Sequence, residues 1–225
     1  MNPWKEISLS DYENHMSLES VHQLQALNQI MKEQFRIYET FRAHPHIYVE
    51  MKGRIMILGV AGGNGLEHIH PMYYEKVYGV DINPEYLAAV RERYCDLEGT
   101  LECLEVDLLH EYESLPKADY VIADLLVEYI GYEAFQKVIR QVEPEMISCV
   151  IQINPENSVS EKSDWVSESP YLEVFNGLDQ VHHQMEEEPL WRSLKELGYD
   201  WVEAFGTALP NGKKLLRMDF AKPLK

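Results

Sequence analysis

The chain has 225 residues and a formal net charge of −18, with 38 acidic residues against 20 Lys and Arg. That balance lacks the basic footprint of a nucleic-acid binder and favours solubility, with a cationic substrate or partner as a second use for the charge. No apolar run approaches the ~18 residues of a membrane span and no signal-peptide pattern opens the chain; Cys95, Cys103 and Cys149 lack disulfide or metal spacing, so a reduced, cytoplasmic protein without membrane contact is expected.

The first 50 residues precede the first strand pattern. Trp4–Ile7 and Asp11–Met16 mix polar and aromatic residues without a period, which predicts an ordered loop or short turn. Val21, Leu24, Leu27, Met31, Phe35, Tyr38 and Phe41 recur at steps of three and four, the stripe of an amphipathic helix. Ser17 or Ser20 is placed to cap its start, and Pro45 follows its end. Residues 1–50 therefore read as a helical cap.

Ile55–Leu58 is a short unbroken apolar run, as expected of a parallel strand covered on both faces. It runs into Gly59-Val60-Ala61-Gly62-Gly63-Asn64-Gly65. Glycine costs backbone entropy, and a cluster here points to a ligand approaching the main chain where a strand hands over to a helix; a merely tight connection is the plain alternative. Leu66, Ile69 and Pro71 fit a short helix after the turn. Lys76–Asp81 is a second strand ending in an acid, 22 positions after Gly59. An acid there is placed to accept hydrogen bonds from a ribose diol. Two ligand classes share that layout: nicotinamide or flavin dinucleotides, and S-adenosylmethionine.

Pro84 opens a helix continued by Leu87, Val90 and Tyr94. Leu101–Val106 and Asp119–Ala123 read as the third and fourth strands. Asp119 reads as structural. Asp124 lies at the strand edge shared with Gly59 and Asp81, where ligands collect; a surface acid is the alternative. A helix over 130–142 follows, and Tyr129 before it is either pocket or core. Ile147–Ile153 is a fifth strand. Residues 156–185 lack a clean period and read as a substrate-side insertion, with Trp165 and Tyr171 as pocket or core. His182 and His183 there are either general-base candidates or ordinary polar residues. Leu190, Leu194 and Leu197 form a helix face that stops at Gly198. Trp201–Thr207 and Lys213–Ala221 are strands joined around Asn211-Gly212, a hairpin signal. An all-parallel dinucleotide fold would need a crossover helix at that point.

Four segments together resemble the motifs of class I S-adenosylmethionine-dependent methyltransferases: Leu58–Gly65, Gly79–Leu87, Glu105–Leu108 and Ala118–Leu126. The resemblance spans roughly residues 50–155. It implies that the glycine turn (Gly59, Val60, Ala61, Gly62, Gly63) holds the cofactor's methionine part. Asp81 and Ile82 would hold the ribose, and Asp107 and Leu108 the adenine. Asp124 joins the same pocket. In one departure, the family usually has an acid two residues before the first glycine, and this chain has Ile57. Tyr12, His15 and Met16 resemble the N-terminal lid of many such enzymes; packing the helix onto the sheet is the other reading. Leu125-Leu126 stand where enzymes acting on nucleobase amines carry Pro-Pro and an aromatic, which with the negative charge argues against a nucleic-acid substrate.

The expected fold is a doubly wound α/β domain over residues 1–225: a seven-stranded, mostly parallel sheet with an antiparallel C-terminal hairpin and a helical N-terminal cap. The expected function is methyl transfer from S-adenosylmethionine to a small-molecule acceptor, mainly by positioning, with a dedicated base needed only where the acceptor carries a proton that must leave. No metal ligand set is recognised. A nucleotide-dependent oxidoreductase and a non-catalytic S-adenosylmethionine binder are the alternatives. Acceptor and oligomeric state are not legible.

Overall fold

A computed structural model describes residues 2–18, 20–42, 52–154 and 172–223. The expectations for Pro45, Trp165 and Tyr171 lie outside those residues. The apolar run after residue 52 forms β1 (Gly53–Leu58), with β2 (Tyr74–Asp81) and β4 (Tyr120–Asp124) paired parallel on its two sides. β3 (Leu101–Glu105) extends the sheet beyond β2, and β5 (Met146–Ile153) beyond β4. The hairpin signal at Asn211-Gly212 closes β6 (Asp200–Ala208) onto β7 (Lys214–Ala221), and β7 pairs antiparallel with β5. The result is a seven-stranded sheet in the order β3-β2-β1-β4-β5-β7-β6. The strand order reverses direction between β1 and β4, and in such sheets that point opens a crevice at the carboxyl ends of the strands.

Both faces are covered, as the continuous apolar strands require. Ile55 and Ile57 of β1 pack into a layer with Phe35 and Tyr38 of α2 (Val21–Arg42) and Leu87 and Val90 of α3 (Pro84–Arg93). Met56 and Leu58 point the other way. They meet Phe135 and Val138 of α4 (Val127–Val142) and Leu190 and Leu194 of α6 (Glu187–Lys195). α2 docks through its aromatic stripe, with Tyr38 stacked on Tyr120 at 4.9 Å between ring centroids.

Three local expectations change. Asp11–Met16 is not a loop but part of α1 (Leu9–Leu18). Its start is fixed by Ser8, whose Oγ accepts from the Asp11 backbone N–H at 3.1 Å and donates to the Asp11 carboxylate at 2.7 Å. That cap replaces the apolar period that the sequence lacks. Ser20 precedes α2, but its hydroxyl meets His15 Nε2 at 3.1 Å, and Ser17 donates to Asn14 O inside α1. α4 begins at Val127 and breaks at Gly131, whose φ of 74° and ψ of 165° suit only glycine. The break separates its first turn from the rest. Asp119 is structural as read: its carboxylate accepts the Arg54 backbone N–H at 2.8 Å, locking β4 to β1.

Gly63 turns the chain after β1 with φ of +83°, and a Cβ there would stand 2.7 Å from the Tyr94 ring and 3.2 Å from Val90. Backbone strain and overpacking combine, so Gly63→Ala is expected to lower unfolding free energy by about 2–4 kcal/mol, measured by urea denaturation.

Candidate functional site

The crevice at the strand ends is a roofed, partly open cavity of about 170 Å³. Its floor is built from successive strand ends: Gly59 and Ala61 after β1, Asp81 closing β2 with Ile82 after it, Asp107 and Leu108 after β3, Asp124 closing β4. Its roof is Tyr12, His15 and Met16 of α1, together with Asn2 and Trp4. Leu126, Tyr129 and Ile130 supply one side wall because the α4 first turn is set apart by the Gly131 break.

Asp81 joins the first two strand ends. Its Oδ2 accepts the Ala61 N–H at 2.8 Å and its Oδ1 the Asn83 N–H at 2.9 Å. The backbone N–H groups of Gly59 and Val60 both donate to Val80 O, at 2.8 and 3.0 Å, so the glycine turn is stitched to the end of β2. Burial pushes the Asp81 carboxyl up to about 6, although the Asn83 and Ala61 hydrogen bonds pull the other way. Ala61 and Leu125 both have positive φ, 46° and 52°, and both face the cavity at strand-end turns. Strain of this kind concentrates at ligand sites.

The roof is tied down at several points. Asn83 Nδ2 donates to Trp4 O and Ile7 O, each at 2.9 Å. Arg93 of α3 donates to both the Glu13 carboxylate and Gly62 O. Tyr12 packs on Tyr86 at 5.2 Å, and burial, with Asp81 and Glu13 nearby, raises its hydroxyl far above the ordinary tyrosine range. The Tyr86 hydroxyl is buried against the cavity and has no hydrogen-bond partner among the described residues.

At the other end, Asp124 is half-buried. Its Oδ1 accepts from Gln34 Nε2 at 2.8 Å, while Oδ2 is shielded from solvent and has no partner among the described residues. Burial raises this carboxyl to about 7, reinforced by Asp219 and opposed by Gln34 and Arg217. Glu128 lies close by, buried, and also raised by burial to about 7. Its Oε1 accepts the Gln152 N–H at 2.9 Å.

Ten of the residues read from sequence thus face one cavity: Tyr12, His15, Met16, Gly59, Ala61, Asp81, Ile82, Asp107, Leu108 and Asp124. Val60, Gly62 and Gly63 do not line it. Val60 is buried in the α2–α3 layer, Gly62 holds Arg93 through its carbonyl, and the Gly63 carbonyl accepts from Tyr94 at 2.7 Å. Ile57 is buried in that same layer. His182 and His183 stand behind the wall: His182 packs edge-on against Tyr129 at 5.6 Å, and the His183 backbone N–H donates to Glu128 O. Trp4, Tyr86 and Gln34 went unread as site residues. Gln34 carried a signal, being a polar residue on the Met31–Phe35–Tyr38 face of α2. Trp4 carried none, since its stretch has no period.

No protein-family model matches the chain, and no curated protein matches it in sequence. Solved structures match in fold. Magnesium protoporphyrin IX methyltransferase from Synechocystis PCC 6803, solved with bound S-adenosylmethionine, is 11% identical with a TM-score of 0.58, over 90% of this chain and 81% of that one. The N-methyltransferase NodS from Bradyrhizobium japonicum WM9 is 13% identical with a TM-score of 0.53, over 76% of this chain and 86% of that one. The cyclase SpnF is 10% identical with a TM-score of 0.62, over 89% of this chain and 82% of that one. The fold is that of the class I S-adenosylmethionine-dependent methyltransferases. At such identity, likeness fixes architecture and leaves chemistry to the site.

The raised carboxyls set a direction for pH. Asp81, Asp124 and Glu128 are pushed up from their ordinary values to about 6, 7 and 7 in the folded state. Groups raised by folding add stability at low pH and lose it as pH rises through the folded value. Between pH 8 and pH 6 the unfolded chain keeps all three ionised while the folded chain takes up protons. The ligand-free protein is therefore expected to gain roughly 3 kcal/mol over that interval, read as a rising melting temperature. A melting temperature that falls from pH 8 to pH 6 would contradict it.

Proposed function

We propose that this chain binds S-adenosylmethionine in the strand-end cavity and transfers its methyl group to a small-molecule acceptor. The observation that carries the reading is the alignment of three successive strand ends, Gly59–Ala61, Asp81 and Asp107, along one cavity floor. The residues fit the cofactor. A carboxylate has about four lone-pair sites, and Asp81 commits two to backbone, leaving two for a ribose diol. Asp107 Oδ1 accepts from the Leu109 N–H at 3.0 Å, which fixes it at the cavity's far end for the adenine, with Leu108 against the ring. Tyr86 supplies a buried hydroxyl in want of a partner. Tyr12, His15 and Met16 cover the methionine end, taking the side of the pocket where Ile57 offers no acid. Fold neighbours solved with S-adenosylmethionine and with S-adenosylhomocysteine support the choice of cofactor.

When bound, the cofactor supplies a methyl on a sulfonium whose departure as a neutral thioether needs no further activation. The protein's part is to hold the acceptor in line and exclude water. Leu125, Leu126 and Ile130 make the remaining wall apolar, and the α1 roof limits the approach of bulk water. The net charge of −18 argues against a nucleic-acid acceptor. The whole chain acts as one domain in this reading. Among the described residues no helix is long and apolar enough to cross a membrane, and no group of three metal ligands forms. A second reading, binding without methyl transfer, draws on the cyclase among the fold neighbours.

Calorimetry with S-adenosylmethionine, S-adenosylhomocysteine and nicotinamide dinucleotides tests the cofactor. The two sulfur compounds are expected to bind and the dinucleotides not; the reverse result sinks the proposal. Asp81→Ala is expected to weaken binding by about ten- to a hundredfold, since hydrogen bonds to a charged group are worth roughly 1.5–3 kcal/mol. It should also lower the melting temperature, because it orphans the Ala61 and Asn83 N–H groups.

The roof is a ten-residue helix held by a handful of polar ties and the Tyr12–Tyr86 contact, an element small enough to open locally. Amide exchange at residues 11–17 is expected to slow when S-adenosylhomocysteine binds. Equal protection with and without ligand would mean that α1 only packs the sheet.

A further inference from the structure

A chain of buried polar side chains crosses the sheet behind the cavity. It begins on the far strands. Arg217 Nε donates to Asp219 Oδ2 at 3.0 Å, and Arg217 also reaches the exposed Glu203 at 3.1 Å. The Ser148 hydroxyl donates to Asp219 Oδ1 at 2.5 Å. That commits the only hydrogen Ser148 has, so toward Gln34 it can only accept. Gln34 Nε2 donates to Ser148 Oγ at 3.0 Å and to Asp124 Oδ1 at 2.8 Å. Every link runs one way. The guanidinium keeps Asp219 an acceptor, Asp219 sets the Ser148 rotor, and Ser148 turns the Gln34 amide so that its NH₂ faces Asp124.

The arrangement costs stability to maintain. Gln34 and Ser148 are both 0% exposed, and Asp219 1%. Gln34 Oε1 is left without a partner among the described residues. The yield of the chain is a single fixed carboxylate. Asp124 is part of the cavity lining, with one oxygen held by Gln34 and the other, Oδ2, shielded from solvent and without a partner among the described residues. Asp124 also stands on the strand next to β1, on the side away from β2 and β3. A cofactor laid along β3, β2 and β1 as proposed above therefore has its methyl end nearest Asp124.

Resting on that reading of the cofactor, we propose that Asp124 is the general base for a protic acceptor, an N–H or O–H nucleophile, with Gln34, Ser148, Asp219 and Arg217 as its positioning residues. The acceptor's lone pair forms the new bond to the methyl carbon. The carbon–sulfur bond breaks with its electron pair going to sulfur, and the acceptor proton passes to Asp124 Oδ2. Burial places this carboxyl near neutral, where a base is both ionised and able to keep a proton. The neighbours that set its charge state are Gln34 on α2, Glu128 on α4, Cys149 on β5, Arg217 and Asp219 on β7, and Tyr120 on its own strand.

The test needs no knowledge of the acceptor. Sinefungin places an amine where the cofactor carries its transferable methyl, so it probes for a base there; S-adenosylhomocysteine has nothing at that place. At pH 8 the wild-type protein is expected to bind sinefungin about tenfold or more tightly than S-adenosylhomocysteine, the strength of a charge-assisted hydrogen bond. Asp124→Asn, near-isosteric, should bring the two affinities together by weakening sinefungin alone. Gln34→Leu and Ser148→Ala should each shrink the preference without abolishing binding of S-adenosylhomocysteine, which a loss of fold would. In the wild type, the preference should fade as pH drops below 7, an arm that stands even if a variant fails to fold. Equal affinity for the two compounds at pH 8, or a preference that survives Asp124→Asn, overturns the assignment while leaving the cofactor reading intact. Failure of every cofactor compound to bind overturns both.

Discussion

The site depends on one carboxylate holding two turns together. Asp81 sits at the end of β2 and accepts backbone N–H groups from the turn after β1 and from its own turn before α3. A carboxylate can do this because it accepts several hydrogen bonds at once and its charge strengthens each. The glycine turn is short of side chains, so its shape comes largely from bonds to its neighbours: β2, Arg93 and Tyr94 after it, and α2 through Asn64. The same carboxylate is largely dehydrated, and the cost appears as its upward shift to about 6. A ligand that donates to Asp81 would recover part of that cost.

The helical cap solves two problems with one element pair. A doubly wound sheet must cover both faces, and its crevice is open at the top. α2 covers one face with Phe35 and Tyr38, and Tyr38 stacks on Tyr120 to fix the helix against β4. Having fixed α2, the fold sets Gln34 over Ser148 and Asp124. The chain before α2 then folds back as α1 over the cavity, tied by Arg93 to Gly62 and by Asn83 to Trp4 and Ile7. Cover and roof are thus positioned by the same docking.

The Gly131 break shows how a small irregularity shapes the wall. A straight helix over residues 127–142 would carry its first turn along the axis of the rest. The break at φ 74° and ψ 165° frees that turn, and Tyr129 and Ile130 face the cavity while Phe135 and Val138 stay in the core. The residue types alone left Tyr129 undecided between pocket and core because an aromatic serves either place.

Local pattern determined the strands, the long helix, the glycine turn and the acids at strand ends. Those signals are short-range: an apolar run, a period of three to four, a glycine cluster, an acid at a run's end. They sufficed for the order of elements and for most of the cavity floor. What tertiary structure alone decided is which side chains meet. Ser148 and Asp219 are 71 positions apart and Gln34 and Asp124 are 90 apart, and no pattern along the chain marks them as partners. α1 needed its Ser8 cap and its docking on the turn to become a helix, because its own apolar period is weak. Val60, Gly62 and Gly63 share a motif with Gly59 and Ala61, yet the turn rotates them out of the cavity. The motif specifies backbone shape, and only the packed turn decides which of its atoms a ligand can reach.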